Sequence, residues 1–297
     1  MTAPVRVAVV QMRSGTDPEA NLAAIARDAA EARAGGASYV LTPEMSVLFA
    51  ENRDMLQART EPAEGNNAIA RLSEIARQAG LYLHVGSLPI AREDGRFANR
   101  SMLFAPDGAT VASYDKVHLF DANIPGQQAY RESATYAGGD EAVVARLPLF
   151  SLGFSICYDM RFPRLYNALA NAGASLMAVP AAFTVPTGQA HWHVLLRARA
   201  IETGSYVIAA AQGGSHANGR ATYGHSLVID PWGKIIAELD HDRPGVLVAE
   251  IDPAAVTEAR RRVPACRAVT SFSSWAAKRS TPGANWSSAC VRPRGCP

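Results

Sequence analysis

Apolar residues along this chain recur with two periods, and the two periods alternate in a way that predicts strands and helices in turn. Residues 5–12 are rich in β-branched side chains, which is typical of a buried strand. Asp17-Pro18 then supplies an N-cap and a first-turn proline. An apolar stripe begins at Leu22, and Gly35 is placed to end the helix. This succession predicts a strand followed by a helix that covers it.

The same succession continues as far as residue 116. The pattern predicts a short strand over residues 39–41 and a second helix whose apolar stripe runs from Ile69 to Ala76. A strand follows over residues 81–88, and the turn sequence Pro-Asp-Gly at 106–108 predicts a hairpin. Strands that alternate with helices in this way indicate an α/β protein in which helices pack on a sheet.

Three short segments of the first half recur in the second half in the same order. The matching pairs are residues 36–43 with 173–180, residues 101–108 with 226–233, and residues 81–87 with 206–212. No linker rich in Pro, Gly or Ser separates the halves. Two alike halves without a linker predict one α/β domain, over residues 1–262, in which two sheets lie face to face with helices outside.

The last part of the chain has a different composition. Residues 263–297 contain five basic residues, no acidic residue and three of the four cysteines, and their apolar residues show no period. Such a segment buries too little apolar surface to offset the entropy lost on ordering. We therefore predict that residues 263–297 form a mobile basic tail that takes no part in catalysis.

The overall composition is that of a globular protein and excludes several functional classes. Hydrophobic residues make up 48% and charged residues 19% of the 297 residues, so a disordered chain is excluded. The net charge of +2 gives no indication of nucleic-acid binding, and no apolar run reaches the ~20 residues that span a bilayer. The N-terminus lacks the features of a signal peptide. We expect a cytoplasmic protein with neither a nucleic-acid nor a membrane partner.

Three polar residues of complementary chemistry stand at the ends of apolar strands. Glu44 follows residues 39–43, Lys116 ends the predicted hairpin, and Cys157 follows residues 152–156. Sites in α/β folds gather at the carboxyl ends of strands. A thiol with a pKa of about 8.5 needs help to ionise at neutral pH. A carboxylate can accept its proton, and a lysine can stabilise an oxyanion, so the three residues form a candidate hydrolytic set.

Each of these residues also has a structural interpretation. Cys157 is also consistent with a small core residue, Glu44 with an acid at a helix start, and Lys116 with a solvated turn residue. Spacing alone does not bring the three together. His191 and His193 stand two apart in a predicted helix, where such side chains point in different directions, so we expect no metal site there.

Three segments of the chain resemble, in the right order, the signature segments of the nitrilase superfamily of carbon–nitrogen hydrolases. They are residues 42–45 (TPEM), 115–120 (DKVHLF) and 156–163 (ICYDMRFP), and the resemblance covers about residues 5–262. Residues 191–192, 195–202 and 223–233 are most similar to the deaminated glutathione amidase branch, with the ω-amidases next. The resemblance implies a four-layer αββα sandwich with halves related by a pseudo-twofold axis. It also implies a homodimer or higher even oligomer and no metal or organic cofactor.

The resemblance also implies a role for each residue of the set. Cys157 would be the nucleophile, Glu44 the general base and acid, and Lys116 the stabiliser of the tetrahedral intermediate. Attack on an amide would release ammonia or an amine and leave a thioester, which water activated by Glu44 would hydrolyse. Glu132 would support the set near the substrate, and the backbone N–H of Tyr158 would complete the oxyanion hole.

The expected substrate is a small acidic amide, such as a deaminated-glutathione-like or α-keto acid amide. Arg161 is expected to hold its carboxylate, for which a guanidinium fork is suited, although a structural ion pair is an equal alternative. Phe183 and Thr184 are expected to line the pocket. The alternatives are a nitrilase acting on nitriles, a non-catalytic interaction module on the same fold, and a Cys–His hydrolase that uses His191 or His225.

Overall fold

The computed structural model describes residues 4–123 and 129–265. Within these residues the α-helices are α1 (Pro18–Ala34), α2 (Arg53–Arg59), α3 (Asn67–Ala79), α4 (Pro163–Asn171), α5 (Val185–Thr203) and α6 (Pro253–Arg262). Two short 3₁₀-helices cover Glu132–Ala134 and Cys157–Arg161. The strands are β1 (Val5–Gln11), β2 (Tyr39–Leu41), β3 (Tyr82–Ala91), β4 (Phe97–Phe104), β5 (Thr110–Asp115), β6 (Asp121–Ala122), β7 (Tyr130–Arg131), β8 (Tyr136–Ala137), β9 (Val144–Arg146), β10 (Ser151–Phe154), β11 (Leu176–Ala178), β12 (Tyr206–Ala209), β13 (Gly213–Ser215), β14 (Ala221–Tyr223), β15 (Leu227–Ile229), β16 (Ile235–Glu238) and β17 (Gly245–Ile251).

The two large sheets have the same topology. The first has the order β17-β1-β2-β3-β4-β5, with β8 beside β4, and the second has the order β16-β15-β12-β11-β10-β9. In both, two parallel pairings are followed by two antiparallel ones, in β1-β2-β3-β4-β5 and in β10-β11-β12-β15-β16. The three sequence repeats fall on β2 with β11, β3 with β12, and β4 with β15. The predicted duplication is therefore confirmed.

Side chains alternate between the faces of each strand, and this alternation builds the layers. Val7 belongs to an apolar cluster that also contains Leu152 of the second sheet. Its neighbour Ala8 belongs to a cluster with Leu22 of α1 and Leu72 of α3. Helices α4 and α5 pack on the outer face of the second sheet. The layers are thus helix, sheet, sheet and helix, which confirms the predicted αββα sandwich.

Local signals predicted the helix ends well. α1 begins at Pro18, its N-cap Asp17 accepts a hydrogen bond from the backbone N–H of Glu19, and Gly35 follows its last residue. α3 ends at Ala79 and is followed by Gly80, whose φ of 61° is a left-handed conformation that residues other than glycine seldom adopt. Strand β3 runs longer than predicted, because it pairs with β4 on both sides of a register shift.

No helix in the described part of the chain is long and apolar enough to cross a membrane. Of the predicted domain, which spans residues 1–262, the structure describes residues 4–123 and 129–262. Of the predicted tail, residues 263–265 continue from α6. The prediction of a mobile tail for the rest, residues 266–297, lies outside the described residues.

Candidate active site

The ends of three strands bring the candidate hydrolytic set together between the two sheets. Glu44 follows β2, Lys116 follows β5, and Cys157 follows β10 as the first residue of a 3₁₀-helix. All three side chains are buried. Strands from different sheets thus place a carboxylate, an ammonium and a thiol in one small volume, although the three residues are far apart in the sequence.

Lys116 is held by two carboxylates. Its Nζ lies 2.8 Å from Oε1 of Glu44 and 2.9 Å from Oε2 of Glu132. Glu132 accepts a further hydrogen bond of 2.6 Å from the backbone N–H of Phe120, and Glu44 accepts one of 2.9 Å from that of Ala182. The structure therefore brings Glu132 to the place beside Lys116 where the resemblance puts it.

Cys157 has an unusual backbone conformation. Its φ is 49°, in the left-handed region that residues other than glycine seldom adopt. Its backbone N–H donates to the carbonyl of Pro180 at 2.8 Å, and its thiol is close enough to Glu44 to help lower the pKa of that carboxylate. The first hydrogen bond of the following 3₁₀-helix runs from the N–H of Asp159 to Ile156. The N–H of Tyr158 precedes that bond, so it stands among the helix-start donors available for an oxyanion.

Burial and charge set the protonation of the three groups. Burial raises the pKa of the Cys157 thiol well above its ordinary value, and the charge of Glu44 adds to this, against the effect of Lys116. Burial also raises the pKa of Glu44, but Lys116 and the hydrogen bonds from Lys116, Cys157 and Asn99 outweigh it, so the pKa is lowered. Burial lowers the pKa of Lys116, but Glu132 and Glu44 outweigh it and raise it well above its ordinary value. At neutral pH the set is a thiol, a carboxylate and an ammonium.

Asn99 is a member of the site that the sequence did not reveal. Its Nδ2 donates to Oε1 of Glu44 at 3.0 Å and to Oε1 of Glu132 at 3.2 Å. Its Oδ1 is buried and has no hydrogen-bond partner among residues 4–123 and 129–265. The side chain therefore joins the two carboxylates. It lies on β4, where nothing in the local pattern of the sequence distinguishes it from other strand residues.

Asp159 links the segment of Cys157 to the segment of Lys116. Its buried carboxylate accepts from the hydroxyl of Tyr114 at 2.7 Å and from the backbone N–H of Ile156 at 2.9 Å through Oδ2. Through Oδ1 it accepts from the backbone N–H and from the ring Nδ1 of His118, at 2.9 and 2.7 Å. Ile156 precedes Cys157, while Tyr114 and His118 flank Lys116. One carboxylate thus bonds to both segments.

The site opens into a cavity of about 730 Å³ that reaches solvent. Glu44, Lys116, Glu132 and Cys157 form part of its wall. The rest of its wall includes apolar and basic side chains, among them Phe49, Tyr130, Arg53, Arg131 and Arg220.

The three residues expected to bind substrate lie outside the lining of this cavity. Arg161 contacts Nδ1 of His191 at 3.2 Å, and its guanidinium lies over the rings of Tyr158 and Phe183. Phe183 is buried against Trp192 of α5, with their ring centroids 5.1 Å apart. Thr184 bonds through its hydroxyl to Thr187 within the first turn of α5. The structure gives these three residues packing partners and no position on the cavity wall.

The histidines of α5 also have structural partners. The ring of His193 bonds to Glu238 at 2.6 Å, and His191 bonds to Arg161. Trp192 between them is buried and donates to the carbonyl of His225. The two histidines therefore face different neighbours, as expected from their spacing, and neither is among the residues that line the cavity with Cys157.

Comparison with known proteins agrees with this site. The sequence profile of the carbon-nitrogen hydrolase family matches residues 6–261. The deaminated glutathione amidase of Yersinia enterocolitica is 40% identical over 261 residues, which are 87% of this chain and 90% of that protein. The crystal structure of Saccharomyces cerevisiae Nit3, a member of branch 10 of the nitrilase superfamily, superposes with a TM-score of 0.79 at 31% identity, covering 88% of this chain and 94% of that one. The Caenorhabditis elegans NitFhit protein gives a TM-score of 0.80 at 37% identity, covering 89% of this chain and 64% of that longer chain.

This chain belongs to the carbon-nitrogen hydrolase family, within the nitrilase superfamily. It is an enzyme that hydrolyses carbon–nitrogen bonds, and it is more specifically an amidase.

Proposed function

We propose that this amidase hydrolyses a small acidic amide through a thioester on Cys157. The observation that carries the proposal is that the buried residues Cys157, Glu44 and Lys116 line one cavity, with a 2.8 Å bond between Glu44 and Lys116. A carboxylate whose pKa is lowered and a thiol whose pKa is raised form a base and its proton donor. Their contact allows the proton to move when the sulfur attacks, so that no free thiolate is needed beforehand.

Acylation begins when Sγ of Cys157 attacks the amide carbonyl carbon and its proton passes to Glu44. The oxygen that becomes negative is stabilised by Lys116 and by the N–H of Tyr158. Nζ of Lys116 donates to Glu44 and to both oxygens of Glu132, so its proposed effect on the oxyanion comes from its positive charge. When the intermediate collapses, the C–N bond breaks, and Glu44 gives its proton to the leaving nitrogen. The products are ammonia or an amine and the thioester.

Deacylation uses the same groups in the same order. A water molecule gives a proton to Glu44 while its oxygen attacks the thioester carbon. The C–S bond then breaks, the carboxylic acid leaves, and Glu44 returns the proton to the sulfur. Glu132 and Asn99 touch Lys116 and Glu44 rather than the reacting atoms, so their proposed role is to position those two groups.

Charge on the cavity wall supports an acidic substrate. Arg53, Arg131 and Arg220 line the cavity along with a single further acid, Glu51, apart from the catalytic residues. Several relatives at about 40% identity are named deaminated glutathione amidase, and an amide of that kind carries carboxylates. A small acidic amide is therefore the substrate class proposed for this chain.

The nucleophile is tested with Cys157→Ala. The variant should lose amide hydrolysis, and brief incubation of the wild-type enzyme with a slow substrate should add the mass of an acyl group that the variant does not gain. Ammonia release should be measured from an amide and from the corresponding nitrile. Turnover close to wild type in Cys157→Ala would contradict the thioester, and faster release from the nitrile would identify a nitrilase.

The other two roles are tested separately. Glu44→Gln keeps the shape of the side chain but removes the base, so both acylation and deacylation should slow. Lys116→Met removes the positive charge beside the oxyanion, and the loss of one such donor costs on the order of 10²–10³ in rate. Activity within a few-fold of wild type in either variant would contradict the assigned role.

We also propose that the enzyme is a homodimer that works in the cytoplasm. Val194 and Ile201 of α5 and the nearby Trp232 have exposed fractions of 69%, 52% and 60%, and Val194 and Ile201 stand seven apart, on one helix face. An exposed apolar patch of this kind indicates a protein interface. A reducing compartment keeps the Cys157 thiol available. Sedimentation of the wild type and of Ile201→Glu tests the dimer, which the substitution should dissociate.

A further inference from the structure

We propose that Arg220 binds the carboxylate of the substrate and thereby sets the preference of the enzyme for acidic amides. This inference rests on the proposed function, since it names the residue that recognises the proposed substrate class. Arg220 directly precedes the first residue of strand β14, Ala221. It lines the same cavity as Cys157. It is therefore in contact with the space that the substrate enters.

Two aromatic rings hold the guanidinium of Arg220 in place. The guanidinium carbon lies 5.1 Å from the ring centroid of Phe49 and 5.5 Å from that of Tyr130. Both rings belong to the cavity wall. Stacking on aromatic faces leaves the N–H groups at the edge of a planar guanidinium free to donate. The side chain is thus oriented in advance without using its hydrogen-bond donors.

The backbone around Arg220 is also fixed. Asn218 donates to the carbonyl of Phe49 at 3.1 Å and accepts from the backbone N–H of Arg220 at 3.1 Å. The carbonyl of Arg220 accepts from the N–H of His216 at 2.8 Å. These bonds connect the turn before β14 to the segment that carries one of the two stacking rings. A side chain that is fixed in this way loses little entropy when it binds a ligand.

Arg220 differs from the other arginines of the cavity wall in what its donors do. Arg53 donates to the carbonyls of Ala134 and Gly95, and Arg131 donates to the carbonyl of Tyr130 and to Asn123. In residues 4–123 and 129–265, by contrast, the guanidinium of Arg220 has no hydrogen bond or ion pair. Its donors are available for the two oxygens of a carboxylate, which a guanidinium binds in bidentate geometry.

The catalytic end of the cavity cannot hold this carboxylate. Lys116 already bonds to Glu44 and Glu132, so two carboxylates stand there beside one ammonium. A third carboxylate at that point would meet net negative charge. An acidic substrate therefore needs a separate cation for its carboxylate, and binding at Arg220 would turn its amide towards Cys157.

Arg161 is the competing candidate and provides the matched comparison. Its guanidinium also lies over two rings, those of Tyr158 and Phe183, at 5.7 and 5.4 Å. It is bonded to His191, however, and is not among the residues that line the cavity. The two arginines thus share the same type of aromatic stacking and differ in access to the substrate.

The test compares two substrates that differ only in the carboxylate. Glutaramate and pentanamide have the same chain length and the same amide, and a methyl group replaces the carboxylate in pentanamide. In Arg220→Gln, kcat/KM for glutaramate should fall roughly 10- to 100-fold, mainly through KM, as expected from losing hydrogen bonds to a charged group. Pentanamide should change by no more than about threefold, and Arg220→Lys should fall between wild type and Arg220→Gln. Arg161→Lys should affect both substrates equally.

The outcomes separate this inference from the proposed function. If the wild-type enzyme prefers glutaramate and the preference persists in both Arg220 variants, the role of Arg220 is wrong while the acidic substrate class stands. Loss of the preference in Arg161→Lys alone would transfer the role to that residue. A wild-type enzyme without any preference for glutaramate would overturn the proposed substrate class and this inference together. Thermal unfolding of each variant checks that the fold is retained.

Discussion

The Cys157 thiol keeps its proton at neutral pH, because burial first and the charge of Glu44 second raise its pKa well above the ordinary range. We therefore expect no thiolate at Cys157 up to about pH 8.5, where a free thiol would be half ionised. The ultraviolet absorbance of the thiolate, taken as the difference between wild type and Cys157→Ala, measures this. The three cysteines of residues 266–297 are present in both proteins, so their absorbance cancels in the difference. A difference titration centred at or below about pH 8.5 would contradict this.

Asn99 is expected to control the basicity of Glu44. Its hydrogen bond helps to lower the pKa of Glu44. Asn99→Ala should raise that pKa, so the acid limb of the pH profile of kcat/KM should move to higher pH. The rate at neutral pH should fall roughly tenfold or more, since a bond to a charged group is lost. If the rate falls while the acid limb stays in place, Asn99 supports the site only structurally.

At the scale of elements, the loops after β5 and β10 depend on one another. The Asp159 carboxylate joins them through four hydrogen bonds, two from His118 and one each from Tyr114 and Ile156. Lys116 and Cys157 each stand within two residues of a hydrogen-bond partner of that carboxylate, so the position of each depends on it. The segments that carry Cys157 and Lys116 are therefore linked to each other, even though the strands before them belong to different sheets.

Asp159→Asn should damage both stability and activity. The substitution replaces one carboxylate oxygen, which accepts two hydrogen bonds, by an amide nitrogen, which accepts none. The donors that faced this oxygen would then be buried without a partner, at a cost of about 1–3 kcal/mol each. Tyr114→Phe removes a single donor and should have the smaller effect on both quantities. Urea unfolding and kcat/KM of the two variants measure this. Equal effects of the two substitutions would show that the carboxylate does not link the loops.

At the scale of the whole molecule, a buried histidine contributes to the contact between the two sheets. His84 of β3 is buried against Phe154 of β10, with ring centroids 4.7 Å apart, and it bonds to Tyr39 and Ser101. Burial lowers the pKa of His84 to about 3. The folded protein therefore holds this ring neutral at a pH where the unfolded chain binds a proton.

Stability should accordingly fall in acid. The unfolded chain takes up a proton at His84 below about pH 6.5, and the folded chain does so only near pH 3, so stability is lost as the pH falls between these values. The maximum slope for one such group is about 1.4 kcal/mol per pH unit. Urea unfolding of wild type and of His84→Gln from about pH 7 to 5 should show a steeper loss in the wild type. If the free energy of unfolding of the two proteins changes with pH in parallel, the buried ring of His84 is not held neutral.

Local patterns in the sequence determined most of the architecture. The helix caps at Asp17, Gly35 and Gly80 and the predicted strand positions followed from spacings within about ten residues, because strand and helix periods are properties of neighbouring residues. The repeated halves followed from three pairs of similar segments in the same order. The three signature segments named the hydrolytic set. That Glu44, Lys116 and Cys157 meet could not be derived from spacing, and rested on the resemblance.

Only the tertiary structure decided the surroundings of that set. Asn99 and Arg220 contact residues that are distant in the sequence: Asn99 bonds to Glu44, 55 residues away, and Arg220 lies over the ring of Phe49. No local pattern records such contacts. For the same reason the sequence could not show that Arg161 is not among the residues that line the cavity. Its distance from Cys157 in the sequence is four residues, but the 3₁₀-helix directs its side chain to His191. Sequence spacing fixes the direction of a side chain only once the backbone conformation is known, and at Cys157 that conformation is the rare left-handed one.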